Sequence, residues 1–307
     1  MIKQIKYKND EEWRSIRRRY IGGSDAGAAA GMNPYKSRYT LWAEKTGRLP
    51  EFEGNLTTEV GAYLEAFVAE QFCRATKKKV RRENCTFVND KYPFACANID
   101  RKIVGENALL EIKTTNSPPA MKKLRSGEYP EAWYCQMTHY LAVTGLEKAY
   151  LAVLIGGRKF EKYELERDED EIEALMEAER EFWELVKSGQ APEVGGESCD
   201  TAAVTGLYTE SDGRTVSLFG LERYMREYLD LSARIKELNL LKENAANHIK
   251  EYMKTAEKGE SGSYKVTWIP SERKSFDLKR FEAEHGDIDL SGYYNTSNTR
   301  IFRVTEI

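Results

Sequence analysis

Asn98-Ile99-Asp100-Arg101-Lys102-Ile103-Val104-Gly105-Glu106-Asn107-Ala108-Leu109-Leu110-Glu111-Ile112-Lys113 runs twice through strand-like residues on either side of a turn signal, Gly105-Glu106-Asn107. This is the pattern of a β-hairpin. Side chains alternate along a strand, so Glu111 and Lys113 project from one face while Leu110 and Ile112 project from the other. With a tight turn centred on Gly105-Glu106, Asp100 falls opposite Glu111 on the neighbouring strand. Two carboxylates and one lysine then share a small patch. Carboxylates this close repel each other unless a cation sits between them, and a divalent metal is the natural one. Such an ion would acidify a bound water and offset charge building on a phosphate, with Lys113 orienting that water or neutralising phosphoryl oxygens. Asp100, Glu111 and Lys113 are therefore the candidate catalytic residues. A solvated Glu-x-Lys face with an ordinary ion pair is the other reading this stretch leaves open.

Working outward, the pattern alternates helices with strands. Basic residues Arg14 to Tyr20 lead into Ile21-Gly22-Gly23-Ser24-Asp25, where Ser24 or Asp25 is expected to cap a short helix. Free N–H groups and a positive dipole end at that point suit a phosphate. Residues 37–47 and 57–76 read as helices, the second with an apolar stripe of Leu64, Phe67, Val68 and Phe72. Phe87-Val88, Phe94 to Ile103 and Leu109 to Thr114 read as strands, the last closed by Ser117-Pro118-Pro119. Glu131 to Val143 follows as a helix, Ala149 to Ile155 as a buried strand ended by Gly156-Gly157, and 168–188 as an acidic helix. The expected architecture is α/β, a central mixed sheet flanked by helices.

Gln190 to Gly206 is rich in Gly, Pro, Ser and Thr, and divides a first domain (1–200) from an accessory module (201–307). In the module, Leu221, Tyr224, Tyr228, Leu231, Ile235 and Leu238 alternate spacings of three and four. Lys242 takes the next seam position before Ala245, Ile249 and Tyr252. The segment 217–257 is a helical hairpin or a short coiled coil. Tyr264 to Ile269 and Arg300 to Glu306 are strand-like. Trp268, Phe276, Phe281, Tyr293 and Tyr294 supply a small core or a contact surface.

Composition narrows the classes. At 307 residues, 41% hydrophobic and 32% charged, the chain can bury one or two cores and is not disordered overall. The longest strongly apolar run, Ala149 to Ile155, is far too short for a membrane span, and Met1 to Trp13 has no signal-peptide core. A cytoplasmic protein with no membrane partner is expected. Five scattered cysteines without a Cys-x-x-Cys pair argue against disulfides or a zinc ribbon, and His139, His248 and His285 are too dispersed for a histidine metal site. Metal chemistry would use oxygen ligands, which favours magnesium or manganese. The net charge of −3 conceals two halves: residues 1–160 carry 27 Lys and Arg against 18 Asp and Glu, and residues 161–307 carry 20 against 32. The basic half is able to meet nucleic acid. Arg17-Arg18-Arg19 and the cluster Arg74, Lys77, Lys78, Lys79, Arg81 and Arg82 offer phosphate contacts without base readout.

Taken in order, these residues resemble the YqaJ-like viral recombinase family, the group that includes phage lambda exonuclease, within the PD-(D/E)xK nuclease superfamily. Asp100 with Glu111-Ile112-Lys113 is similar to the superfamily's metal-binding signature, although Ile99 and Arg101 stand where many members have Pro and Gly. Trp13 to Arg17 with Ile21 to Asp25, Asn33-Pro34-Tyr35-Lys36-Ser37, Lys45-Thr46-Gly47, Gly61-Ala62-Tyr63-Leu64-Glu65 and Gln136-Met137-Thr138-His139-Tyr140 follow the family's order over residues 10–190. The resemblance implies a restriction-endonuclease-like core in which Glu65, Asp100, Glu111 and the carbonyl of Ile112 bind magnesium, with manganese as a substitute. Glu59 and Glu70 lie beside Glu65 as competing candidates. It implies that Arg17, Ser24 and Gln136, with Tyr140 one helical turn on, hold DNA at a 5′-phosphate. The implied activity is 5′-to-3′ digestion of linear double-stranded DNA from 5′-phosphorylated ends in phage-type recombination. A single-strand annealing protein as partner and a homotrimer are implied with it. A structure-specific or restriction-like endonuclease, and a non-catalytic DNA-binding adaptor, are the alternative readings.

Overall fold

The computed structural model describes residues 1–286, 288–295 and 299–306. Its contacts divide the chain into two units, Met1–Tyr208 and Thr209–Ile307. The first begins with β1 (Ile2–Lys6), α1 (Asp10–Arg18), β2 (Ile21–Gly22), α2 (Gly23–Ala29), α3 (Arg38–Lys45) and α4 (Leu56–Thr76). Strands β3 (Val80–Arg81), β4 (Cys85–Asn89), β5 (Tyr92–Ala97), β6 (Arg101–Ile103) and β7 (Ala108–Thr115) follow, then α5 (Pro118–Arg125) and α6 (Glu131–Thr144). β8 (Lys148–Ile155), β9 (Lys159–Glu166), α7 (Glu169–Ser188) and α8 (Ser198–Leu207) complete it.

A five-stranded mixed sheet in the order β3-β6-β7-β8-β9 carries the site. Only β7 and β8 run parallel, and α5 and α6 make the crossover that a parallel pair requires. The sheet is buried on both faces because β7 is apolar at both alternations. Leu110 and Ile112 pack with Val68 and Phe72 of α4 and with Tyr150 of β8. Leu109, on the other face, packs among Leu151, Val153, and Met137 and Leu141 of α6. A second sheet, β1-β4-β5-β2, borders this side. Together these form the mixed α/β, restriction-endonuclease-like architecture expected from the sequence.

Several local expectations need correcting. Phe94 to Ile103 is two strands in two different sheets. Asn98 breaks the run by donating its amide to Cys85 O at 3.2 Å and Thr86 Oγ1 at 2.9 Å, so the chain leaves one sheet and enters the next at Asp100. The cap of α2 is Gly22; Asp25 sits one turn inside and its Oδ2 accepts from Gly22 N at 3.3 Å. Ser117-Pro118-Pro119 ends β7 and also starts α5, since proline is well tolerated in a first helical turn. Gln190–Gly206, taken from composition as the domain boundary, holds all of α8 but its last residue; Asp200 there accepts from Ser37 Oγ and Ala203 is buried.

The second unit contains one unbroken helix, α9 (Glu222–Met253), in place of a helical hairpin. After it come the antiparallel pair β10 (Lys258–Ser261) and β11 (Tyr264–Thr267), then α10 (Leu278–Glu284) and a single 3₁₀ turn, Ser291–Tyr293. The described residues of the expected strand Arg300–Glu306 join no ladder; Phe302 lies edge-on to Tyr228 of α9. Among the described residues no helix is long and apolar enough to cross a membrane.

Candidate active site

The β6–β7 ladder pairs Arg101 with Leu110 and Lys102 with Leu109, so Asp100 stands across from Glu111 as the turn arithmetic requires. Asp100 Oδ2 accepts from Ile112 N at 2.8 Å. Glu111 is 2% exposed; its Oε1 lies 2.7 Å from Lys113 Nζ, and its Oε2 is buried without a partner. Burial, and then the neighbouring Glu111 carboxylate, push the Asp100 carboxyl well above its usual range. With the Lys113 ammonium on Glu111, a half-buried Asp100 alongside and one buried oxygen unpaired, the two acids lack one positive charge, and that is what a divalent ion would bring.

Glu65 reaches the same cavity from α4 but is engaged otherwise. Its Oε1 accepts from Arg101 Nη1 and, at 3.1 Å, from Arg82 Nη2. Arg101 also donates to Asp100 O at 2.6 Å and is itself buried. Among the described residues no three carboxylate, imidazole or thiol groups converge closely enough to enclose an ion by themselves. Of the competing acids, Glu59 is exposed and Glu70 pairs with Arg74 at 2.6 Å.

On the other flank Lys113 Nζ donates to Gln136 Oε1 at 2.8 Å, and Gln136 Nε2 donates to Tyr140 Oη at 3.0 Å. Tyr140 is buried, and its hydroxyl is held well above its ordinary value by burial and by Glu111 and Asp100. Arg17 Nη2 donates to Ser24 Oγ at 2.9 Å, and its guanidinium lies over the Trp13 ring. A cavity of about 370 Å³ is bounded by Trp13, Arg17, Ser24, Glu65, Asp100 and Tyr140. A larger cleft of about 1150 Å³ shares Ser24 with it and runs past Lys113, Gln136, Trp133 and Tyr35. Of the sequence-derived site residues, Arg17, Ser24, Glu65, Asp100, Lys113, Gln136 and Tyr140 line one or other of these clefts, while Glu111 and Ile112 lie behind them on β7.

Sequence reasoning missed the supports of this site. Asp25 is buried and receives Lys45 Nζ at 2.8 Å, Arg17 at 3.8 Å and Lys36 at 3.9 Å. Burial opposes its ionisation, yet Lys45, Arg17 and Lys36 together hold it well below the usual carboxylate range. Lys45 also donates to Tyr20 O at 2.9 Å and Arg17 O at 3.2 Å, which fixes the turn that presents Arg17 and Ser24. The capping pattern Gly22-Gly23-Ser24-Asp25 signalled a helix start, but nothing local signalled the lysines. Gly23 is obligatory: a Cβ there would stand 2.2 Å from Tyr140 Cε1. The basic cluster 74–82 is largely neutralised locally, with Lys78, Arg81 and Arg82 paired to Glu106, Glu83 and Glu65.

The sheet, the strand change that precedes Asp100, and the Glu111-x-Lys113 pair fit a DNA nuclease, a hydrolase of phosphodiesters. The comparisons with known proteins agree. Residues 12–147 match the YqaJ-like viral recombinase domain, and the uncharacterised protein YqaJ of Bacillus subtilis (strain 168) is 39% identical over 295 residues, covering 93% of this chain and 92% of that one. The chain belongs to the YqaJ-like viral recombinase family. Protein D345L of African swine fever virus (strain Badajoz 1971 Vero-adapted) is 32% identical over 79 residues, 25% of this chain and 23% of its own. The crystal structure of an alkaline exonuclease, LHK-Exo, from Laribacter hongkongensis shares the fold, with a TM-score of 0.51 at 20% identity over 58% of this chain and 93% of that one.

Proposed function

We propose that this chain is a magnesium-dependent exonuclease that digests linear double-stranded DNA 5′ to 3′ from 5′-phosphorylated ends. The observation that carries the reading is the Asp100–Glu111–Lys113 patch with its buried, unpaired Glu111 oxygen, in which Asp100 lines the cavity that Arg17 and Ser24 also line and Lys113 lines the adjoining cleft. Asp100, Glu111 and the Ile112 carbonyl would hold the ion, with Glu65 joining from α4; manganese can substitute. When bound, the ion supplies an acidified water and Lewis-acid polarisation of the phosphodiester. Lys113, fixed between Glu111 and Gln136, contributes a positive charge beside the scissile phosphate. Arg17 and Ser24 bind the terminal 5′-phosphate, while Gln136 and Tyr140 set the position of Lys113 against the strand. Membership of the family supports a role in phage-type recombination, beside a single-strand annealing protein.

The test is digestion of end-labelled linear duplex with magnesium. Wild type should release label from the 5′-phosphorylated terminus first, and Glu111→Ala and Lys113→Ala should abolish release. Undiminished digestion by both variants would sink the assignment. Cutting of covalently closed circular duplex, which has no end, would replace exonuclease with endonuclease.

A further inference from the structure

We propose that Arg101 competes with the divalent ion for Glu65, so that the site binds metal weakly until a DNA phosphate draws the guanidinium away. This rests on the nuclease reading and adds to it a residue that couples metal binding to DNA binding.

Arg101 follows the metal aspartate, at a position where many superfamily members have Gly. A side chain there has to be housed, and strand register decides where. Arg101 pairs with Leu110 across the β6–β7 ladder, so it projects from the face that α4 covers, away from Glu111. That places its guanidinium against Glu65, the carboxylate that α4 brings to the cavity. Arg101 is only 6% exposed, and its Nη1 donates both to Glu65 Oε1 and, at 2.6 Å, to Asp100 O. Glu65 Oε1 also accepts from Arg82 Nη2 at 3.1 Å.

A carboxylate oxygen offers about two lone-pair sites. Two guanidinium N–H groups fill both of those on Glu65 Oε1, and an ion that draws on this oxygen has to displace one of them. The exposed Arg82 passes to water at little cost. Arg101 does not, because a buried cation that loses its carboxylate needs another anionic acceptor. The cavity of about 370 Å³ supplies the place for one: Arg101 lines it together with Arg17 and Ser24, so a phosphate held there comes within its reach. Metal on Glu65 and phosphate on Arg101 then reinforce each other, and the coupling is reciprocal.

Calorimetric titration of the full-length, DNA-free chain with manganese tests the competition. Arg101→Met keeps an apolar stem and removes the charge, and it should tighten manganese binding about tenfold. In a Glu65→Gln background the same substitution should change affinity by less than about twofold, since the contested carboxylate is gone. Unchanged or weaker binding in Arg101→Met would overturn the proposal. Equal tightening in both backgrounds would also overturn it, by showing a bare charge effect. A second titration needs no change at Arg101 and serves if that variant fails to fold. In Lys113→Ala, expected not to digest, 5′-phosphorylated duplex should tighten manganese binding about tenfold, and adding Glu65→Gln should remove most of that gain. A gain that survives Glu65→Gln would overturn the coupling. Absence of manganese binding by wild type would count against the nuclease reading itself; binding with the wrong response to these substitutions counts against the competition alone.

Discussion

Glu111 illustrates how a buried acid becomes useful. Its Oε2 has no protein partner, and leaving such an oxygen unpaired costs about 1–3 kcal/mol or more for a charged group. Asp100→Asn is therefore expected to weaken manganese binding at least about tenfold in a calorimetric titration, since one of two facing charges is gone. Unaltered affinity would remove Asp100 from the ligand set. At the other end of the cavity, Arg17→Ala should lower the preference for 5′-phosphate over 5′-hydroxyl ends by about tenfold to a hundredfold, the worth of a charge-assisted hydrogen bond. Equal preference in variant and wild type would count against that pocket. Gly23→Ala should destabilise the fold by about 1–3 kcal/mol in chemical denaturation, because Tyr140 occupies the space a methyl needs. The Asp100–Glu111 pairing was legible in the sequence because hairpin register is arithmetic about a turn. The engagement of Glu65 by Arg101 was not, since it depends on how α4 lies across the sheet. The convergence of Lys36 and Lys45 on Asp25 was hidden for the same reason.

At the scale of elements, α6 carries Gln136 and Tyr140, and its position is set from behind. His139, on the same helix and fully buried, donates from Nε2 to Cys96 O at 2.9 Å in β5 and meets Glu179 Oε1 at 2.8 Å in α7. Removing either partner of such a pair costs about 3–5 kcal/mol. Burial alone would lower the His139 value, but Glu179 overrides it and holds the proton more tightly than in the unfolded chain, where histidine titrates near 6.5. Burial raises Glu179 in the same sense. The contribution of His139 is thus complete below pH 6.5 and is lost as pH rises through its higher folded value, while that of Glu179 is complete only below 4.5 and also falls as pH rises. Melting temperatures should fall more steeply with rising pH in wild type than in Glu179→Gln; parallel curves would contradict this. Periodicity revealed α4, α6, α7 and β8 nearly to the residue, because each has a continuous apolar stripe or run. It joined β5 to β6, because the break between them rests on one amide, Asn98, whose acceptors lie a dozen residues earlier.

For the whole molecule, the division of charge between the halves acquires a structural counterpart. Every proposed catalytic, metal and DNA contact falls within Met1–Tyr208, and both apolar clusters close inside that unit. A chain ending at Tyr208 is expected to keep magnesium-dependent digestion; loss of digestion with the fold intact by circular dichroism would assign the second unit a part in the chemistry. Because Asp100 faces Glu111 only through the count of residues around Gly105, the length of that loop is itself a catalytic parameter. Inserting or deleting a single codon there is expected to slip the register by one and turn Asp100 to the opposite face of the sheet. Changes of loop length by one are expected to cost more activity than point substitutions outside Gly105, which holds a positive φ, and Glu106, which pairs with Lys78 and Tyr150. Among descendants of this gene the length of the loop should be held more tightly than the identity of its other residues.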